Sequence, residues 1–259
     1  MYKPFDLTGK VAVVTGGNGG IGLGMAEAIA EAGGDVVIWG TNAEKNSIAE
    51  KQLKLHGRRV SVRQVNVAEE SAVVDGMNAA IKDMGRVDAV FANAGIGVPV
   101  ASFLDLKGEH LRKIEAVNLD GAIFTLREGA RHMVERAKTG DEGGSLVAVS
   151  SLSAVDGAAR NEHYAATKGA LIAVTKALAV EFARYGVRSN SILPGWIATD
   201  MTKGGQASDK FNEKVIGRVP MRRWGKPEDF GGIAVYLMSE ASSFHSGDTL
   251  LIDGGYAVY

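Results

Sequence analysis

Seven short apolar runs recur along the chain: "VAVVT" from 11, "DVVIW" from 35, "RVSVRQV" from 59, "VDAVFA" from 87, "SLVAVS" from 145, "VRSNSIL" from 187 and "TLLID" from 249. Between them lie longer alanine-rich stretches of helical period, chiefly Ile21 to Ala32, Glu69 to Met84, Leu111 to Ala137 and Ala165 to Tyr185. A strand that returns through a helix must lie parallel to the one before it, so this alternation predicts a parallel sheet with helical crossovers. The runs are nearly continuous in apolar residues rather than alternating, as strands buried on both faces require. No Pro/Ser linker, charge block or fixed-period repeat interrupts the 259 residues. The expectation is a single doubly wound (Rossmann) α/β domain over 1–259 with helices on both faces. One stretch, Thr199 to Arg222, is polar and glycine-bearing without clear regular structure, and reads as a substrate loop or lid beyond a strand end.

Composition narrows the function classes. A net charge of -1 offers no electrostatic footprint for nucleic acid or an anionic membrane. The absence of cysteine excludes disulfides, thiolate metal sites and cysteine nucleophiles. "MYKPFDLTGK" reaches the first strand-like run without the parts of a secretory signal, and no apolar stretch approaches the roughly 20 residues of a membrane span, so a cytoplasmic protein is expected. His56, His110 and His132 lack metal-ligand spacing, and no metal site is expected.

The first apolar run flows into "TGGNGGIG", Thr15 to Gly22, and then a helical stretch. Strand, glycine turn and helix N-terminus together present bare backbone N–H groups to a phosphate. Two registers fit: Gly17, Gly19 and Gly22 as G-x-G-x-x-G, or Gly16, Gly20 and Gly22 as T-G-x-x-x-G-x-G. The acid that holds a ribose 2′-hydroxyl in such sites would close the second strand, yet that place falls on Gly40. No carboxylate stands there to repel a 2′-phosphate, and an aspartate at Gly40 is expected to shift preference toward NAD.

Further along, Tyr164 and Lys168 are spaced i, i+4 and share a helix face. A neighbouring ammonium favours phenolate, which would bring a tyrosine toward the working range of a general acid/base. Ser150 and Ser151 close the strand-like run upstream, near enough in the chain for a crossing loop to carry a hydroxyl over the tyrosine.

With "NAG" at 93 and "PG" at 194, these pieces occur in the order and spacing of the short-chain dehydrogenase/reductase family, which the chain resembles from Gly9 to Gly255. The resemblance implies a sheet of about seven strands and an NAD(P)-dependent oxidoreductase that interconverts a secondary alcohol and a ketone. It implies Tyr164 as general acid/base, Lys168 on the nicotinamide ribose, Ser151 on the substrate oxygen and Asn118 at a helix kink linked to a proton path. For the dinucleotide it implies Gly16, Asn18, Gly20, Ile21 and Gly22; Thr41; Asn66 and Val67; Asn93, Ala94 and Gly95; and Pro194, Gly195, Ile197 and Thr199. Two departures from the family stand out. Asn66 replaces its usual aspartate, and neither Thr41 nor Asn18-Gly19 carries the basic residue typical of NADP-preferring members. With the NAD-favouring acid also missing, NADP(H) is favoured over NAD(H) by a small margin. The implied substrate walls are Ile96 to Ala101, Leu152 to His163 and Thr199 to Arg222. A polar sugar acid, polyol or cyclic substrate is preferred, with a 3-oxoacyl thioester also compatible. The apolar helices at 111–137 and 165–185 and the ending "SGDTLLIDGGY" resemble segments that pair subunits in the family, which implies a homotetramer. The competing reading is a non-catalytic dinucleotide-binding sensor or scaffold.

Overall fold

The computed structural model describes residues 2–259. Within them the strands are β1 (Val11–Thr15), β2 (Asp35–Gly40), β3 (Val60–Gln64), β4 (Ala89–Ala92), β5 (Gly144–Val149), β6 (Val187–Pro194) and β7 (Thr249–Ile252). All pair in parallel, in the order β3-β2-β1-β4-β5-β6-β7. Each of the seven runs read from the sequence supplies one strand, and the sheet is the doubly wound one expected.

The crossovers are α1 (Gly20–Glu31), α2 (Ala43–Lys54), α3 (Glu70–Met84), α4 (Gly108–Glu115), α5 (Gly121–Lys138), α6 (Glu162–Phe182), α7 (Lys203–Gln206), α8 (Asp209–Arg218) and α9 (Gly231–Met238). Pleating sends alternate strand residues to opposite faces. Ala12 and Val14 join Met25, Ile29, Phe230 and Leu237 in one core, while Val11 and Val13 join Met77, Leu126, Met133 and Leu171 in the other. Chain direction reverses its march across the sheet between β1 and β4, the switch point at which ligands bind outside the carboxyl ends of the strands.

Two expectations are corrected. Leu111 to Ala137 is not one regular helix: a π turn, Ala116–Asp120, separates α4 from α5. The Thr199 to Arg222 stretch is not irregular either, for it holds a short 3-10 turn (Asp200–Thr202), α7 and α8. Paired glycines 204 and 205 depress helix propensity there, but Ser208 caps α8 by accepting from Phe211 N at 3.3 Å. No helix among the described residues is long and apolar enough to cross a membrane.

Candidate active site

The strand ends at the switch point are tied together by one hydroxyl. Thr15 Oγ1 accepts from the backbone N–H of Asn93 (3.0 Å) and of Ala94 (2.9 Å), and Asn93 Nδ2 donates to Thr15 O at 2.9 Å. In the sequence Thr15 has no role beyond opening the glycine motif. Its buried hydroxyl fixes the turn after β1 against the turn after β4.

Within that turn the register is settled. Gly16 and Gly20 adopt φ of +64° and +52°, whereas Gly19 is extended. A Cβ on Gly22 would lie 2.4 Å from Gly16 O and 2.5 Å from Asn93 Nδ2. The motif is therefore T-G-x-x-x-G-x-G, with α1 opening at Gly20. Bare backbone here, at a helix N-terminus, fits a dinucleotide diphosphate. Thr199 faces this turn, its Cγ2 being 3.3 Å from where a Gly20 Cβ would stand. Pro194 closes β6, Gly195 N donates to Ile252 O at 3.0 Å, and buried Ile197 pairs in a bridge with Gly225.

At the end of β2, a side chain on Gly40 would meet two side-chain amides. A Cβ there would fall 2.1 Å from Asn18 Nδ2 and 2.5 Å from Asn46 Oδ1. Asn18 Nδ2 donates to Asn46 Oδ1 (2.7 Å), and Asn46 Nδ2 donates to Gly40 O (3.0 Å). An aspartate at Gly40, expected to shift preference toward NAD, must therefore displace this amide pair. Thr41 follows at the surface, its carbonyl accepting from Gln64 Nε2 at 2.9 Å. Exposed Asn66 holds its own turn, accepting from Ala68 N (3.2 Å) and donating to Glu69 (2.8 Å), while Val67 packs on Gly121.

The second half of the site forms around the start of α6. Ser150 and Ser151 diverge in role: Ser150 Oγ is buried and donates to Lys168 O at 2.7 Å, whereas Ser151 Oγ accepts from Ser153 N at 3.2 Å and bears on the Tyr164 phenol. Ser153 also donates to Ser151 Oγ, at 3.0 Å. Lys168 is 3% exposed and its Nζ donates to Val149 O at 2.7 Å. Burial pulls its pKa down to about 8. Burial likewise raises the Tyr164 phenol above its ordinary value, and the influence opposing that rise is the Ser151 hydroxyl. The expected acidification by Lys168 is not among the influences on the phenol: its ammonium stands 5.7 Å from the Tyr164 ring centroid and gives one of its N–H groups to the Val149 carbonyl.

Asn118, wholly buried in the π turn, clamps Ile96 from both sides, accepting from Ile96 N (2.8 Å) and donating to Ile96 O (3.0 Å). A Cβ on Gly95 would lie 3.4 Å from Asn118 Oδ1 and 3.5 Å from Lys168 Nζ, so Gly95, Asn118 and Lys168 converge. His163 is buried, with Nε2 donating to Val98 O at 2.7 Å, which holds the segment after β4 rather than a substrate. His132 likewise serves packing: it accepts from Val87 N at 3.1 Å, and burial lowers its pKa.

A hydroxyl, a phenol and a buried amine thus line one rim with a glycine phosphate cradle. A family model described as enoyl-(acyl carrier protein) reductase matches residues 16–257. The chain belongs to the short-chain dehydrogenase/reductase family. Among relatives of this short-chain dehydrogenase/reductase, gluconate 5-dehydrogenase of Gluconobacter oxydans is 36% identical, covering 98% of this chain and 97% of that one. L-rhamnose 1-dehydrogenase (NAD(P)(+)) of Azotobacter vinelandii is 36% identical, with 97% and 98% covered. The structure of a gluconate 5-dehydrogenase from Burkholderia cenocepacia, in complex with NADP and tartrate, superposes with a TM-score of 0.92 at 31% identity, covering 99% and 98%. The protein is an oxidoreductase acting on CH–OH groups.

Proposed function

We propose that this enzyme interconverts a secondary alcohol and a ketone on a polyhydroxylated substrate, a sugar acid or polyol, with NADP(H) preferred and Tyr164 as general acid/base. The observation that carries the reading is the convergence of Ser151, Tyr164 and Lys168 beside a glycine turn with bare backbone. Relatives named for gluconate and rhamnose support the substrate class, and the NADP of the Burkholderia complex supports the cofactor.

The dinucleotide, when bound, supplies the hydride acceptor or donor. This chain's residues bind and move a proton. Backbone at Gly16 to Gly22, with Thr199, holds the diphosphate. Thr41, Asn18, Asn66 and Val67 line the adenosine end, and Asn93, Ala94, Gly95, Pro194, Gly195 and Ile197 form the floor toward the nicotinamide. Lys168 Nζ holds a ribose hydroxyl. Ser151 and Tyr164 grip the substrate oxygen together. In reduction Tyr164 donates its proton to that oxygen, and in oxidation it takes the proton back. Ser151 also holds the phenol pKa below what burial alone would set. Asn118 and His163 fix the wall between Ile96 and Val98. The working unit is a homotetramer.

The deciding experiment is a panel of secondary alcohols and ketones, containing sugar acids, polyols, cyclic ketones and a 3-oxoacyl thioester. Each is followed by the absorbance of reduced nicotinamide with both cofactors. The highest kcat/KM is predicted for a sugar acid or polyol with NADP(H). Turnover confined to the thioester, or to NAD(H), contradicts the corresponding part of the reading.

A further inference from the structure

Resting on the dinucleotide reading above, one ion-pair cluster beside the cofactor groove has no part in the chemistry so far. Lys45 lies in the first turn of α2, three residues after its N-cap Asn42, and therefore just beyond the end of β2. In sheets of this type that strand end faces the adenosine ribose. Lys45 Nζ does not point to solvent alone. It reaches 155 residues along the chain to Asp200 Oδ2 at 2.5 Å, and the other oxygen of Asp200 holds Lys203 Nζ at 2.5 Å.

Asp200 adjoins Thr199, which faces the glycine turn, and it lines a cavity of about 270 Å³ with Gly20, Thr199, Lys203 and Gln206. The Lys45–Asp200 pair therefore crosses from the ribose end of the groove to its diphosphate end. Hydrogen bonds and charge from the two lysines hold the Asp200 carboxyl down at about 2, so it is ionised throughout the working range. All three side chains are half-exposed or more. Ion pairs so solvated are weak and exchangeable.

We propose that Lys45 is the cation that reads the adenosine 2′-phosphate, and that Asp200 is its internal counter-ion, a carboxylate holding the place the phosphate takes. Three observations agree. The conventional basic positions, Thr41 and Asn18-Gly19, are neutral. The end of β2 itself carries the Asn18–Asn46 amide pair and no fixed carboxylate, so the acid paired with Lys45 is the exchangeable Asp200. A phosphate monoester carries about -1.5 to -2 charge and three acceptor oxygens, and outcompetes a single carboxylate for an ammonium. The exchange also unties Asp200, and with it α7, from α2, so a 2′-phosphorylated dinucleotide loosens the Thr199 to Arg222 segment that an unphosphorylated one leaves tethered.

The test is calorimetric titration of the full-length protein with 2′,5′-ADP and with 5′-AMP, using wild type, Lys45→Gln and Asp200→Asn. For Lys45→Gln, 2′,5′-ADP weakens by roughly tenfold and 5′-AMP changes by less than about twofold, the loss of one charge-assisted contact. The retained 5′-AMP affinity shows that the variant is folded. Asp200→Asn tightens 2′,5′-ADP by a few-fold and leaves 5′-AMP unchanged. An unaltered 2′,5′-ADP to 5′-AMP ratio in Lys45→Gln, or weaker 2′,5′-ADP binding in Asp200→Asn, overturns the assignment. Wild type that binds neither nucleotide overturns the dinucleotide reading itself.

Discussion

Lys168 shows how a site can oppose the stability of the fold that carries it. In the unfolded chain its amine titrates near 10.5, in the folded one at about 8, and burial is the cause. Between those values the unfolded state binds more protons, so stability must rise with pH across the window from about 8 to 10.5. Below pH 8 the amine is charged in both states and the burial penalty, on the order of 3 kcal/mol, is present in full. Urea denaturation of wild type and Lys168→Met should therefore show the difference moving in favour of wild type by up to about 3 kcal/mol as the pH rises through that window. A pH-independent difference contradicts it. The i, i+4 spacing to Tyr164 was legible in the sequence, and the family resemblance singled out Ser151 over Ser150. That the amine would be bound to Val149 O, leaving Ser151 to lower the phenol pKa, was not legible. Burial is a property of the elements packed above a residue, and periodicity carries no record of them.

Among elements, the strands were the most readable because each falls on a short run rich in apolar residues; β1, β2, β4, β5 and β6 are buried nearly throughout, while the edge strands β3 and β7 are only partly covered. Periodicity did not show the π turn, which only the family's kink at Asn118 foreshadowed: Ala116–Asp120 carries ordinary helical residues, and the widened turn is stabilised from outside by the two bonds of Asn118 to Ile96. α7 and α8 were hidden by their glycines and their length, since helices of four and ten residues have little periodicity to show. The glycine turn was readable in kind but not in register, for which Gly16 φ and the closeness of Gly22 to Gly16 O decide. Gly22→Ala should cost about 1–3 kcal/mol through overpacking and weaken dinucleotide binding. Thermal unfolding with and without NADP would read both effects. A variant with wild-type stability and affinity contradicts the close packing between α1 and its preceding turn.

For the whole molecule, the sheet ends at β7 with an apolar surface beside it. Phe244 is 106% and Val180 is 83% exposed, Leu251 on β7 is partly exposed, and Gly247 brings the intervening loop within van der Waals reach of Ala179 on α6. An edge strand flanked by uncovered aromatic and aliphatic groups calls for a partner, in keeping with the proposed homotetramer. Light scattering should give four times the 27.2 kDa protomer, and Phe244→Asp with Val180→Asp should lower that mass. A monomeric wild type contradicts the proposed assembly.

The account turns on Tyr164 exchanging a proton with substrate while taking little part in holding the dinucleotide. Steady-state turnover and NADPH binding of Tyr164→Phe, measured on the same preparation with the best substrate of the panel, address that directly. The prediction is a fall in kcat of at least about 10²-fold in both directions with NADPH affinity nearly unchanged. Wild-type turnover in this variant would contradict the mechanism.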